Sequence, residues 1–395
     1  MVNYSNRMNG VKASVVRELS KLLGDPQMIS FGGGNPANES LPVAVVDELV
    51  HEVLSENGET ILQYGITEGY QPLRESYVEH IAAPKGLKIG PDNVLVMTGA
   101  MQGLDLINKL FLNPGETVLV ENPTFAGALQ AFRIAQGNIV PVQTDEEGVI
   151  LEDLEAKIKE HHPKLFYCIP TFQNPSGKTI GLERRKAIAE LASRYDFIVM
   201  EDDPYGDLRF RGESLPPIKY FDRTGNVIMM NSFSKILSPG IRVGTLVASE
   251  EIVDKASICK QCSDTHTTNL TQAVADRFLR KGLLPGHLQN IIPMYLKKLD
   301  TMLGSIEAYF PEGTVYTKPD GGLFVWIELP HEINMGEAHK RAIAEKKVAF
   351  VPGMAFCVGD PAMGRRTLRL NYSNATPEDI AVGVERLASL IKTYL

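Results

Sequence analysis

The sequence predicts an α/β protein: a wound, mostly parallel sheet with helices on both faces, joined to a smaller α+β domain. Three observations predict it. Short apolar, β-branched runs recur, each followed by an amphipathic or capped helical stretch, which is how parallel strands alternate with crossover helices. The alternation stops near residue 286 and a long helical stretch, HLQNIIPMYLKKLDTMLGSIEAYF, takes over. A chain of 395 residues also exceeds one ordinary hydrophobic core, so two units are expected.

Residues 1–40 hold the helix-like VKASVVRELSKLL and the Gly32-Gly33-Gly34 turn. They lack a strand pattern to join the sheet and are expected to pack across the domain junction. Residues 41–286 form the large domain. Its strands read NVLVMT, TVLVEN, KLFYCIP, DFIVMED, NVIMMNS and GTLVAS, and function is expected at their carboxyl ends, where the loops gather. Residues 287–395 form the smaller domain, with the strands TVYTKPDGG, GLFVWIEL and RTLRLNYS and a last helix ending in SLIKTYL. No internal repeat is visible.

Hydrophobic residues make up 44% and charged residues 22%, the balance of an ordinary globular protein. A formal net charge of -8 leaves no excess positive field for a nucleic-acid backbone. No stretch has the apolar length of a signal peptide core or a membrane span, so a cytoplasmic location without membrane contact is expected. Cys168, Cys259, Cys262 and Cys357 are expected as reduced thiols. Cys259 and Cys262 form a C-x-x-C, but no second pair at ligand spacing accompanies it, so no metal is expected.

Four stations carry the chemistry. Asn231-Ser232-Phe233-Ser234-Lys235 follows the strand VIMM and precedes Gly240, Arg242 and Gly244. A lysine at a strand end with a cation close behind offers an amine of lowered pKa, as Schiff-base chemistry requires, while Ser232, Ser234 and Arg242 suit a phosphate. Alone, it also reads as a solvated loop lysine. Gly99-Ala100-Met101-Gln102-Gly103 joins the strand at Val94–Thr98 to the helical LDLINKLF, so bare N–H groups can meet an anion at the positive end of a helix dipole; simple punctuation needs the same glycines. Glu201-Asp202-Asp203-Pro204-Tyr205 closes the strand FIVM, where a carboxylate suits a ring nitrogen and a tyrosine a phenolic oxygen; a metal ligand or helix cap is the alternative. Gln173-Asn174-Pro175-Ser176-Gly177 keeps an asparagine amide at a strand tip, as a plain turn also does. Gly177-Lys178-Thr179 superficially suggests a P-loop ATPase, but Phe172 stands where that loop needs its first glycine.

Together, SFGGGNP, QYGITEGYQPLR, FQNPSGKT, EDDPY, NSFSKILSPGIRVG and TLRLNYS resemble the class I aminotransferases of the fold type I pyridoxal-phosphate family, nearest the 2-aminoadipate and kynurenine aminotransferase branch. The resemblance covers nearly the whole chain. It implies a seven-stranded sheet and pyridoxal 5'-phosphate held by Lys235, with Asp202 on the pyridine nitrogen and Asn174 and Tyr205 on the phenolic oxygen. It further implies that Ser232, Ser234, Arg242 and the backbone of Gly99, Ala100 and Met101 hold the phosphate. Phe125 stacks on the ring, and Tyr64 reaches the phosphate of a neighbouring subunit, which requires a homodimer. Relatives commonly have serine and glutamine at positions 100 and 101 and tyrosine at 125, so Ala100, Met101 and Phe125 imply weaker cofactor binding.

For the substrate, the resemblance assigns Arg369 to the α-carboxylate, with Asn174 and Gly34 beside it and Arg17 on a distal carboxylate. Period-two alternation places Leu368 and Leu370 on one face and Arg369 on the other. Val11, Val15, Leu19 and Leu22 recur at helical spacing, leaving Arg17 off the apolar stripe, as a solvated arginine also would be. The implied reaction is ping-pong exchange of an amino group between an L-amino acid (2-aminoadipate, branched-chain or aromatic) and 2-oxoglutarate, with Lys235 as acid and base. A β-lyase or decarboxylase would use the same constellation. A regulator on this fold is not expected, since no helix-turn-helix extension precedes VKASVVREL.

Overall fold

The computed structural model describes residues 4–9, 11 and 27–394. After a short β1 (Ile29–Ser30), one sheet collects β2 (Val94–Met97), β3 (Thr117–Asn122), β4 (Asn138–Asp145), β5 (Gly148–Val149), β6 (Leu165–Cys168), β7 (Ile198–Asp203), β8 (Val227–Ser232) and β9 (Gly244–Val247). Their order is β2-β9-β8-β7-β6-β3-β4-β5. The run from β8 through β7, β6 and β3 to β4 is parallel, and β9 lies antiparallel between β8 and β2. Seven strands were expected; the eighth is β5, a two-residue antiparallel edge on β4. The six runs read from sequence omitted β4, whose Pro141 argues against a strand. The proline is tolerated there because β4 pairs with a full strand on one side only, and β5 meets just Thr144 and Asp145 on the other.

Burial on both faces explains the near-continuous apolar strands. Leu165 and Tyr167 of β6 join one core cluster with Val118, Val120 and Met200, whereas Phe166 and Cys168 join another with Leu119 and Val199. Helix α1 (Ala100–Phe111) covers the first face through Leu104 and Ile107, and α2 (Leu182–Tyr195) covers the second through Ile188 and Ala192. Each Val, Leu, Ile, Phe or Met among them, wholly removed from water, stabilises the fold by about 1.5–3 kcal/mol before entropy is counted.

Helix α3 (Leu283–Tyr309) carries position 286, where the sequence pattern changes, and crosses it unbroken. Its Ile291 and Tyr295 pack with the large sheet, and its Leu299, Met302 and Ile306 pack in a second core. That core backs an antiparallel sheet of β10 (Val315–Tyr316), β11 (Phe324–Glu328), β13 (Val351–Pro352) and β14 (Thr367–Asn371), in the order β10-β11-β14-β13. The strand β12 (Val348–Ala349) instead pairs in parallel with β1. The segment read as lacking a strand thus supplies a two-residue one; Ile29 and Ser30 are too few to show a period. Leu368, Leu370, Val384 and Leu387 share the second core, the last two from α4 (Pro377–Ile391). Among the described residues no helix is long and apolar enough to cross a membrane.

Candidate active site

A cavity of about 610 Å³ opens at the carboxyl ends of β6, β7 and β8, lined among others by Asp202, Ser232, Lys235, Arg242 and Arg369. In β7, period-two alternation sends Asp202 and Asp203 to opposite sides. Asp203 pairs with Lys85 at 3.2 Å and accepts from the N–H of Gly206. Asp202 is 3% exposed; its Oδ2 accepts the Tyr167 hydroxyl at 2.8 Å, and its Oδ1 is buried without a partner. Burial pushes its carboxyl up to about 7, with the Tyr167 bond opposing and Asp203 adding to the rise.

Lys235 follows β8 by three residues, and its Nζ donates to the Gly34 carbonyl at 2.6 Å. Burial, then the nearby Arg242 and Arg369 charges, push its ammonium down to about 8. Neighbouring strand ends are tied together by Asn231, whose Nδ2 donates to the Asp203 carbonyl at 2.7 Å and whose Oδ1 accepts from Tyr77.

At one end of the cavity, Ser232 and Ser234 face Arg242 and the start of α1. The stretch read as a turn is already helical: Gly99 is the N-cap, and Ala100 and Met101 open the first turn, whose N–H groups lack intrahelical acceptors. Gly99 sits at φ +81°, and a Cβ there would come within 2.3 Å of Arg242 Nη2, so glycine serves both the turn and the close approach. Arg242 itself holds φ +54°, a conformation costly for a side-chain-bearing residue, and donates to the carbonyls of Thr98 and Pro239.

At the other end, Arg369 reaches in from β14. Its Nη1 donates to Asn174 Oδ1 at 2.8 Å and its Nη2 to the Gly32 carbonyl at 2.6 Å, while its Nε is buried without a partner. The guanidinium lies over the rings of Phe324 and Phe356, 4.3 and 5.0 Å from their centres. Burial lowers its pKa to about 10, with Tyr205 opposing. Tyr205 stands edge-on to Phe324, and burial raises its phenol.

Twelve of the expected site residues therefore line one cavity: Gly34, Ala100, Met101, Phe125, Asn174, Asp202, Tyr205, Ser232, Ser234, Lys235, Arg242 and Arg369. Gly99 adjoins it through Arg242. Tyr64 does not line it; this side chain is 82% exposed and stands edge-on to His266. Arg17 lies outside the described residues. Tyr167, which lies in the run KLFYCIP, and Phe356 carry no role in the sequence reading. Alternation along β6 already places Tyr167 on the Met200 and Asp202 face, a legible signal, whereas Phe356 lies in irregular chain after β13 and had none.

The pair Cys259 and Cys262 ends the helix Glu250–Gln261, away from this cavity. All four cysteines are free, and among the described residues no group of His, Cys, Asp or Glu is arranged to hold a metal ion.

These residues suit pyridoxal 5'-phosphate. The unpartnered Asp202 Oδ1 fits a ring N–H, a lysine of lowered pKa fits its carbonyl carbon, and two serines, an arginine and a helix start fit its phosphate. The family described as "Aminotransferase class I and II" matches residues 26–387. The chain is 41% identical to aromatic-amino-acid aminotransferase 1 of Thermococcus litoralis, over 98% of this chain and 94% of that one. It is 41% identical, with a TM-score of 0.94 over 99% and 97% of the two chains, to the Pyrococcus horikoshii kynurenine aminotransferase solved with PMP, KYN and KYA. It is 38% identical, with a TM-score of 0.91 over 99% and 97%, to the α-aminoadipate aminotransferase LysN of Thermus thermophilus, solved with N-(5'-phosphopyridoxyl)-L-leucine. The chain belongs to the class I and II aminotransferases and is a pyridoxal-phosphate-dependent transaminase.

Proposed function

We propose that the enzyme exchanges the amino group of an apolar or aromatic L-amino acid with 2-oxoglutarate, in ping-pong order, as a homodimer. The observation that carries this reading is that Asp202, Lys235 and Arg369 open on one cavity.

Ser232, Ser234, Arg242 and the N–H groups of Gly99, Ala100 and Met101 would hold the phosphate, with Tyr64 supplied to it from the neighbouring subunit. Phe125 would supply an aromatic face for the ring, Asn174 and Tyr205 would bond its phenolic oxygen, and Asp202 Oδ1 would keep its nitrogen protonated. The bound group supplies a carbonyl carbon that reacts with amines and a ring that draws electrons from the substrate α-carbon. Arg369 grips the α-carboxylate with paired donors, beside Asn174 and Gly34. Lys235 Nζ would then carry the α-proton away from the substrate carbon, acting first as base and, once protonated, as acid. Burial, then Arg242 and Arg369, lower its pKa to about 8, so the neutral amine is far more available near neutral pH than in an ordinary lysine.

The cations lining the cavity among the described residues are Lys235, Arg242 and Arg369, each with a role above, and Met101, Leu104, Phe125, Ile169 and Phe356 supply apolar surface. Aromatic and branched-chain donors suit that lining; Arg17 is the candidate partner for the distal carboxylate of 2-aminoadipate. A panel of amino donors with 2-oxoglutarate tests both statements. The expected result is glutamate formation, fastest with aromatic or branched-chain donors, and in Arg17→Gln a loss of kcat/KM for 2-aminoadipate and for 2-oxoglutarate, both of which carry a distal carboxylate, with kcat/KM for aromatic and branched-chain donors kept. Release of ammonia or carbon dioxide without glutamate would replace the reading with a lyase or decarboxylase.

A further inference from the structure

Tyr167 is fully buried in β6, its ring edge-on to Phe132 at 5.7 Å, and its hydroxyl donates to Asp202 Oδ2 on the adjacent strand. A phenylalanine would fill that space without placing a hydroxyl out of water, which costs about 1–3 kcal/mol unless a partner is supplied. Asp202 has the complementary need. A buried carboxylate is kept charged by donors, and this one, in a residue that lines the cavity, has a single side-chain donor and an Oδ1 without a partner.

We infer that Tyr167 is a positioning residue for transamination: its hydroxyl, anchored in the sheet, fixes the Asp202 carboxylate and favours its charged form, leaving Oδ1 for the cofactor nitrogen. The inference rests on the role proposed for Asp202. Burial, with the Asp202 charge beside it, drives the Tyr167 phenol well above its ordinary range, so it stays a donor at every working pH. The other ionisable groups that interact with Asp202 or share its cavity are Asp203 and Tyr205 from β7 and its loop, Cys168 from β6, and Lys235, Arg242 and Arg369; Glu121 of β3 acts on Tyr167. None of these donates to the Asp202 carboxylate, and Asp203 opposes its ionisation. Tyr167 is the group whose removal has a defined sign: a lost donor to the charged form raises the carboxyl pKa.

The test is infrared titration of the full chain freed of cofactor, with the Asp202 band identified by subtracting the Asp202→Asn spectrum. Tyr167→Phe should raise the Asp202 midpoint by about one to two pH units, the size of a hydrogen bond to a charged group. Site-specific 3-fluorotyrosine at position 167, a stronger donor, should lower it, and this keeps the test available if Tyr167→Phe folds poorly. A midpoint unmoved or moved the other way in either variant overturns the inference. Turnover by Asp202→Asn, measured separately, judges the role of Asp202 itself, so the two failures are distinguishable.

Discussion

Asp202, Ser232 and Lys235 stand on or directly after two adjacent parallel strands, whereas Arg369 and Phe356 reach the same cavity from a separate sheet and its loops, and Gly34 from the stretch after β1. The first group is placed by the β7–β8 register, which a single-residue slip would invert, and by Asn231 tying the strand ends together. In the second group, Arg369 is placed by β14, paired on both sides with β11 and β13, and Phe356 by contacts with the chain at and after β3. The Thr124 N–H donates to the Phe356 carbonyl at 2.9 Å, and the Val358 N–H to Asn122 Oδ1 at 2.9 Å. Under the roles proposed above, the groups for the reaction stand on the large sheet and those for substrate recognition come from outside it.

Lys235→Ala removes the group that carries the reaction and should lower turnover by more than about 10⁴-fold with every donor, in a steady-state assay. Asp202→Asn should cost about 10²–10³-fold in kcat while leaving the ranking of donors unchanged, because it touches only the sheet side. Arg369→Gln should cost about 10²-fold in kcat/KM, mostly through KM, because it removes paired charge-assisted bonds to the carboxylate. If Asp202→Asn reordered the donors, the division between the two sides would fail.

Tyr64→Phe should weaken cofactor binding about tenfold, read by equilibrium titration, if a neighbouring subunit supplies that hydroxyl. A monomeric enzyme would leave the affinity unchanged. The smallest effect is in pH. The rate of cofactor uptake should rise with pH and level off above about 8, because only the neutral Lys235 amine attacks a carbonyl. Arg369→Gln should move that midpoint upward, since one of the cations that lower the lysine pKa is then gone.

The sheet side was the more legible in sequence. Apolar runs ending in Glu201-Asp202-Asp203 and Asn231-Ser232 showed both where the strands end and which residues stand there. Arg369 was legible for a similar reason, as the one charge between Leu368 and Leu370. β4 escaped because Pro141 argues against a strand, and its edge-side placement, which excuses the proline, is a tertiary fact. β1 and β12 escaped because two residues show no period. The partners of Asp202 were half legible: alternation gives the face of Tyr167, but only the β6–β7 register brings its hydroxyl to Oδ2. The 82% exposure of Tyr64 is a property of one chain, and its proposed role belongs to a pair.

The claim that Lys235 carries the cofactor is tested most directly by loading the enzyme with pyridoxal 5'-phosphate, reducing it with borohydride and mapping the modified peptide. The account predicts a stoichiometric phosphopyridoxyl group on Lys235 and none in Lys235→Ala. Modification at another lysine, or none at all, would contradict it.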